Sequence, residues 1–184
     1  MRTGPAVPLV MVVALTTGCL SQIIPAHESM DEAALPAALA ARSFEGPAFT
    51  QFTTAPFESA LKPGAFVSLF VSREAVAAYS AVKADVAAAM NAAAAAPPPF
   101  PVGAMIVRAI SDAAGKRTGL TVMVKREPGY FPEGGDFFFA VTDLAGRAVM
   151  GEDGVEWGRL DSCGDCHRTR ASSGYLFGMP HPAK

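Results

Sequence analysis

Hydrophobic and polar positions divide the chain into a stretch without period, a stretch with helical period and a stretch with period two. From Ser21 to about Lys62 the sequence is rich in Pro, Ala, Ser and Thr and has no strong repeat. Such a composition reads as a linker followed by an irregular lead-in, with a short helix over Met30 to Arg42 interrupted near Pro36. Ala65 to Ser72 (AFVSLFVS) is dense in β-branched and aromatic residues and predicts a strand. Glu74 to about Ala96 predicts a helix, because Val76, Tyr79, Val82, Val86 and Met90 recur at three- and four-residue steps. Ser72 is placed to cap its start, and alanine at many remaining positions favours helix intrinsically. Pro97-Pro98-Pro99 ends it, since proline removes an amide donor and constrains the residue before it.

Beyond the prolines the period changes to two. Val102 to Ile110 (VGAMIVRAI), Gly119 to Arg126 (GLTVMVKR) and Phe137 to Thr142 (FFFAVT) predict strands, with polar turns over 111–118 and 128–135. Leu144 to Arg147 reads as a further turn, and Arg147 to Met150 begins a fourth strand. Consecutive strands joined by short polar turns imply an antiparallel meander. Asp161 to about Thr169 is then a short helical turn. The fold class expected is α+β: an antiparallel β-sheet meander with one long helix and short helices.

The start of the chain changes the picture by assigning a compartment. Met1 and Arg2 precede an apolar run from Ala6 to Leu15 and the exit Thr16-Thr17-Gly18-Cys19. That order is the pattern of an export signal over residues 1–20, too short to remain as a spanning helix. Gly18-Cys19 also resembles a lipoprotein cleavage site, with Leu15 four residues before the cysteine rather than three. Plain secretion and lipid anchoring through Cys19 both remain open. The remainder suffices for one domain, divided as a lead-in over 21–62 and a folded domain over 63–184. A formal net charge of −2 and the absence of any basic run argue against a nucleic-acid partner.

The chemistry is concentrated in Cys163-Gly164-Asp165-Cys166-His167. Two cysteines two residues apart followed at once by histidine form the attachment signature of a c-type haem. Each thiol adds across one vinyl group, and the adjacent histidine lies under the iron as its proximal ligand. Of the three cysteines, Cys19 belongs to the export signal and the other two to this motif, so none remains for a structural disulfide. A thiol–disulfide pair is the first competing reading, although no βαβ pattern precedes the motif. A zinc site is the second, needing Cys163, Cys166, His167 and His181 in a spacing that matches no standard one. Met179 and His181 are candidate sixth ligands, but they lie beside Pro180 and Pro182 in a tail so short that it reads as a mobile end rather than a ligand arm, and His27 is a solvated residue of the lead-in. Arg159, Arg168 and Arg170 flank the motif as candidate partners of the haem propionates. Trp157 reads as a packing residue.

With these motifs in order, the chain resembles cytochrome P-460 and its relatives, the cytochromes c′-beta. The stretches that carry the resemblance are Pro101 to Arg108, Met123 to Arg126, Gly134 to Phe137, the Cys163–His167 motif, and the aromatic pair Tyr175 and Phe177. Phe66 to Tyr79 is similar as well, so the resemblance spans roughly the C-terminal two-thirds of the sequence. It implies a β-rich fold holding one covalently attached haem c, often in a homodimer, with His167 as the metal ligand and the other iron face open or water-ligated. Members of the family oxidise hydroxylamine, or bind nitric oxide and similar diatomics in a phenylalanine-capped pocket.

Two departures choose between those activities. In the hydroxylamine oxidisers a lysine is covalently joined to the haem edge, and the matching position here is Arg108. A guanidinium stays protonated and is a poor nucleophile, so the cross-link is not expected. Lys125 is the nearest lysine on a neighbouring strand, but it matches a different family position. The positions matched to polar distal groups are Val67 and Thr121, and neither serves as a general base. Phe66, Phe70, Phe100 and Phe137 to Phe139 fill the neighbourhood, some as core and some as a distal cap. The expected function is an exported, periplasmic or lipid-anchored mono-haem c protein with five-coordinate iron. It binds or transforms nitric oxide or a related small nitrogen species and exchanges electrons with a redox partner protein. Arg108 is the candidate donor to bound ligand or to a propionate, and the candidate catalytic residue. A hydroxylamine oxidoreductase with cross-linked haem and a six-coordinate electron-transfer cytochrome are the alternatives.

Overall fold

The computed structural model of the chain describes residues 32–60, 62–88 and 99–178. In chain order the helices are α1 (Leu35–Ala40), α2 (Val76–Ala88) and α3 (Asp161–Arg168). The strands are β1 (Phe49–Gln51), β2 (Phe57–Glu58), β3 (Phe66–Ser72), β4 (Met105–Ser111), β5 (Arg117–Lys125), β6 (Phe137–Thr142), β7 (Met150–Gly151), β8 (Gly154–Val155) and β9 (Trp157–Gly158). The main sheet runs β1-β3-β4-β5-β6-β9, with β2 also paired to β3 and every pairing antiparallel. Strands β3 to β6 lie side by side in chain order, which is the expected α+β meander. A separate β7–β8 hairpin stands between β6 and β9.

Two turns of the meander use one device. Asp112 Oδ1 accepts from the amides of Ala114 and Lys116, and Asp143 Oδ1 accepts from those of Ala145 and Arg147. The aspartate thus replaces backbone acceptors that a tight turn leaves out of reach. Gly146 closes the second turn at φ 76°, and its α-carbon lies against the Pro36 backbone, where no side chain fits.

The long helix is the part of the expected architecture that differs. Arg73–Ala75 is a 3-10 turn, and α2 follows over 13 residues. The rest of the predicted span, from residue 89 to 96, lies outside the described residues, as does Met90. Tyr79 and Val82 are buried as their spacing predicts. Ser72 does not cap α2. Its hydroxyl accepts instead from the Met105 amide at 2.8 Å, tying the end of β3 to the start of β4. A serine at a helix start is recruited by whichever buried amide lacks a partner, and here that amide belongs to the neighbouring strand.

Alternation along the strands separates two cores. One face carries Leu69, Val71, Ile106, Met123, Phe137 and Phe139 beneath α2, with Phe100, Phe131 and Leu176. The other carries Phe70, Met105, Val107, Leu120, Val122, Val124, Phe138 and Ala140. The residues read as a linker and irregular lead-in cover that second face. Leu35, Leu39 and Phe44 are buried on it, and Arg117 pairs with Glu45 across the join. Among the described residues no helix is long and apolar enough to cross a membrane.

Candidate functional site

Helix α3 carries the whole Cys163–His167 motif. Asp161 in its first turn and His167 and Arg168 in its last suit the helix dipole. Cys163 and Cys166, three residues apart, share one face of the helix, and neither is in a disulfide. Cys163 is half-buried against the first core, whereas Cys166 is exposed. Burial pushes the Cys163 thiol up, a hydrogen bond from Ser162 opposes this, and Glu156 and Cys166 add to it. A thiol pushed upward is shifted in the opposite direction from the lowered one that favours thiol–disulfide exchange. Among the described residues no three His, Cys, Asp or Glu side chains gather as a metal site, and His181 lies outside them.

Gly164 sets how closely α3 docks. A methyl group there would stand 2.6 Å from Phe131 Cζ and 2.9 Å from its Cε1. Gly164→Ala is expected to lower the thermal midpoint, although alanine favours a helix interior by about 1 kcal/mol over glycine. Combining it with Phe131→Leu should return part of the loss. A stabilised single variant would show that this approach is not limiting.

His167 is fixed from both sides. Its Nδ1 lies 2.6 Å from the Tyr175 carbonyl oxygen. A carbonyl only accepts, so Nδ1 carries the proton and the neutral ring keeps its lone pair on Nε2. Such a bond is the usual means of orienting a metal-ligating histidine. Burial pushes the imidazole below its ordinary pKa, the Tyr175 carbonyl opposes that shift, and the Arg108 charge adds to it. The rings of Phe139 and Phe177 flank the imidazole at 5.2 and 5.1 Å. Tyr175 holds a left-handed backbone, φ 64°, directly after Gly174 at φ 67°. For a tyrosine that conformation costs about 1–3 kcal/mol, and here it aims the carbonyl at the histidine. Tyr79 secures the same segment from α2 by donating to the Phe177 carbonyl at 3.2 Å.

The register of the sheet places Arg108 beside this cluster. Leu69, Arg108, Thr121 and Val141 form one row across β3 to β6, and Val71, Ile106, Met123 and Phe139 form the next row on the same face. Successive rows are about 7 Å apart along the strands. Arg108 is half-buried, and among the described residues its guanidinium has no hydrogen bond or ion pair. Burial lowers its pKa, with the Tyr79 phenol opposing. It remains a cation at any ordinary pH. Its cross-strand neighbour Thr121 has a buried Oγ1 with no partner.

Other sequence-predicted residues go elsewhere. Val67 lies on the face of Arg108 and Thr121, one row further out, opposite Ile110. The six phenylalanines divide by parity. Phe100, Phe137 and Phe139 belong to the face of α3, while Phe70 packs edge-on to Phe44 at 5.2 Å and Phe138 edge-on to Trp157 at 5.1 Å on the far face. Phe66 follows their parity along β3. Lys125 donates to the Gly135 carbonyl at 2.6 Å and lies over the Phe137 ring. Arg159 stacks on Tyr130, Arg168 pairs with Asp165 at 2.8 Å, and Arg170 lies over Phe177. Cys19, His27, Met179, His181 and the export signal lie outside the described residues. The cavity of about 350 Å³ between Leu39, Phe44, Arg117 and Leu144 belongs to the opposite face and not to this cluster.

The structure adds three contributors that the sequence reading missed. Tyr175 acts through its carbonyl, a group every residue has, and only the preceding glycine hints at the turn. Phe131 falls in the span expected to be a turn, and Tyr79 is one position in the period of the expected helix. Compared with protein-family models, with curated proteins and with solved structures, the chain matches none.

Proposed function

We propose that the chain is an exported mono-haem c protein of the cytochrome P-460 kind, binding or transforming nitric oxide or a related small nitrogen species. Cys163 and Cys166 attach the haem, and His167 is its protein ligand through Nε2. The observation that carries this reading is the His167 arrangement: Nδ1 committed to the Tyr175 carbonyl, Nε2 left free, and the ring held between Phe139 and Phe177. The unpartnered Thr121 Oγ1 and the uncompensated Arg108 guanidinium fit a site completed by a further polar group. A haem bound there supplies an iron that takes a small ligand and exchanges one electron. The chain's own part is to hold the imidazole neutral and oriented and to keep a fixed cation nearby. Lys125 is committed to the Gly135 carbonyl, which supports a haem without a lysine cross-link. An export signal supplies the periplasmic or lipid-anchored location in which such a haem is attached, and a redox protein is the expected electron partner.

The test is an optical spectrum of protein made in a host that matures c-type cytochromes. A pyridine haemochrome of the two-thioether type and ready uptake of carbon monoxide by the ferrous form are expected. No haem would overturn the reading. A strongly red-shifted, broadened main band would favour the cross-linked oxidoreductase, and refusal of carbon monoxide would favour a six-coordinate carrier.

A further inference from the structure

Arg108 poses a question that haem attachment alone does not answer. A half-buried guanidinium without a counter-ion carries a cost, because the charge gives up part of its water and gains no partner. Among the described residues several surface arginines have ion pairs, Arg42 with Glu45, Arg147 with Asp143 and Arg168 with Asp165, while Arg73 meets the Pro47 carbonyl and Arg170 the Phe177 ring. Arg126, more buried than these, pairs with Glu32 and Glu127. Arg108 is an exception and faces the sheet surface on which α3 docks. Directly opposite it on β5, Thr121 buries a hydroxyl that also lacks a partner. Side chains directly opposite in an antiparallel pair have β-carbons about 5 Å apart, so one small group can meet both. The flanking members of the row, Leu69 and Val141, are apolar.

We infer that Arg108 and Thr121 form a seat for a planar two-oxygen anion, with the guanidinium fork taking both oxygens and the Thr121 hydroxyl donating to one of them. Rigid, bidentate geometry is what arginine offers over lysine for carboxylate-like groups. The inference rests on the haem reading and sharpens it. Beside the neutral diatomics that an apolar pocket favours, the site accepts an anionic nitrogen oxide of the nitrite class. Two sources supply an anion of this shape: free nitrite, or a propionate of the haem itself.

The experiment uses haem-loaded protein and three variants, Arg108→Gln, Arg108→Lys and Thr121→Val. Ferric protein is titrated with sodium nitrite, ferrous protein with carbon monoxide, and the midpoint potential is recorded for each. If the seat takes free anion, Arg108→Gln weakens nitrite about 10- to 100-fold, the loss expected for a charge-assisted hydrogen bond. Thr121→Val weakens it less, Arg108→Lys restores part, and carbon monoxide affinity changes by a smaller factor than nitrite affinity, because a neutral ligand forms no ion pair with the cation. If the seat holds a propionate, nitrite affinity is unchanged while the midpoint potential falls in Arg108→Gln and recovers in Arg108→Lys. Unchanged nitrite affinity together with an unchanged potential would overturn the seat. Since all these readings require a haem-loaded protein, that outcome is distinct from failure of haem attachment. A thermal midpoint recorded alongside gives an independent check. Arg108→Met should raise it before nitrite is added if the seat is then empty and lower it if a propionate fills the seat, and an unchanged midpoint would count against a seat of either kind.

Discussion

Double replacement of Cys163 and Cys166 by serine is expected to abolish covalent pigment altogether, so that no haem stain survives on a denaturing gel. In the proposed attachment each thiol supplies one thioether, and the described residues hold no other cysteine to substitute. The single variants should differ from one another, which makes the experiment more than a test of the motif. Cys166 is exposed, and Cys166→Ser should leave a stable fold with one thioether and a pyridine haemochrome shifted to the red. Cys163 packs against the first core, as Leu160 and Tyr175 do. Cys163→Ser places a hydroxyl there, at a cost of about 1–3 kcal/mol if that hydroxyl finds no partner. Chemical denaturation should therefore show a lower midpoint for Cys163→Ser than for Cys166→Ser, with the same loss of one thioether in each. Haem stain in the double variant would overturn the assignment of both cysteines.

Much of the sheet was legible because its strands obey simple rules. β6 has the predicted bounds, Phe137 to Thr142, and β3, β4 and β5 lie within about three residues of theirs at each end. Their segments combine β-branched density with turns punctuated by Asp and Gly. β1 and β9 carried no such signal, being three and two residues long. In the lead-in a short helix was legible, α1 lying inside the expected span with Pro36 in its first turn rather than interrupting it, but the packing was not, for a different reason. Leu35, Leu39 and Phe44 are few and separated by alanines and Pro36, so they form no period, yet each finds a place on the second face. Burial of isolated apolar residues is decided by the surface they meet, not by local pattern.

The candidate site was legible in its residues and not in its arrangement. Cys163, Cys166 and His167 follow from spacing alone, and alternation along the strands brings Arg108, Thr121 and Val67 to one face. What the sequence could not convey was the absence of partners around Arg108 and Thr121, since a lone charge is defined by its surroundings. Nor could a uniformly apolar run such as Phe137-Phe138-Phe139 declare which ring faces which core.

That ambiguity gives the second large effect, because adjacent residues should fail in different ways. Phe138 is fully buried on the far face against Trp157, and Phe139 reaches His167 on the near face. Truncating either to alanine removes a large buried side chain and should cost about 3–5 kcal/mol, read from denaturant midpoints. Stability therefore does not separate them, but the haem does. In Phe139→Ala the imidazole loses one of its two flanking rings, so carbon monoxide affinity and midpoint potential should both change at temperatures where the protein remains folded. Phe138→Ala should leave both unchanged, since the sheet stands between that ring and the histidine. Leucine at each position preserves most of the volume and guards against unfolding as the cause. No haem response from either Phe138→Leu or Phe139→Leu would mean that His167 is oriented by the Tyr175 carbonyl and Phe177 alone. A response confined to Phe139→Leu would place the sheet itself in control of the ligand, through a side chain whose direction is set by nothing more than its parity in β6.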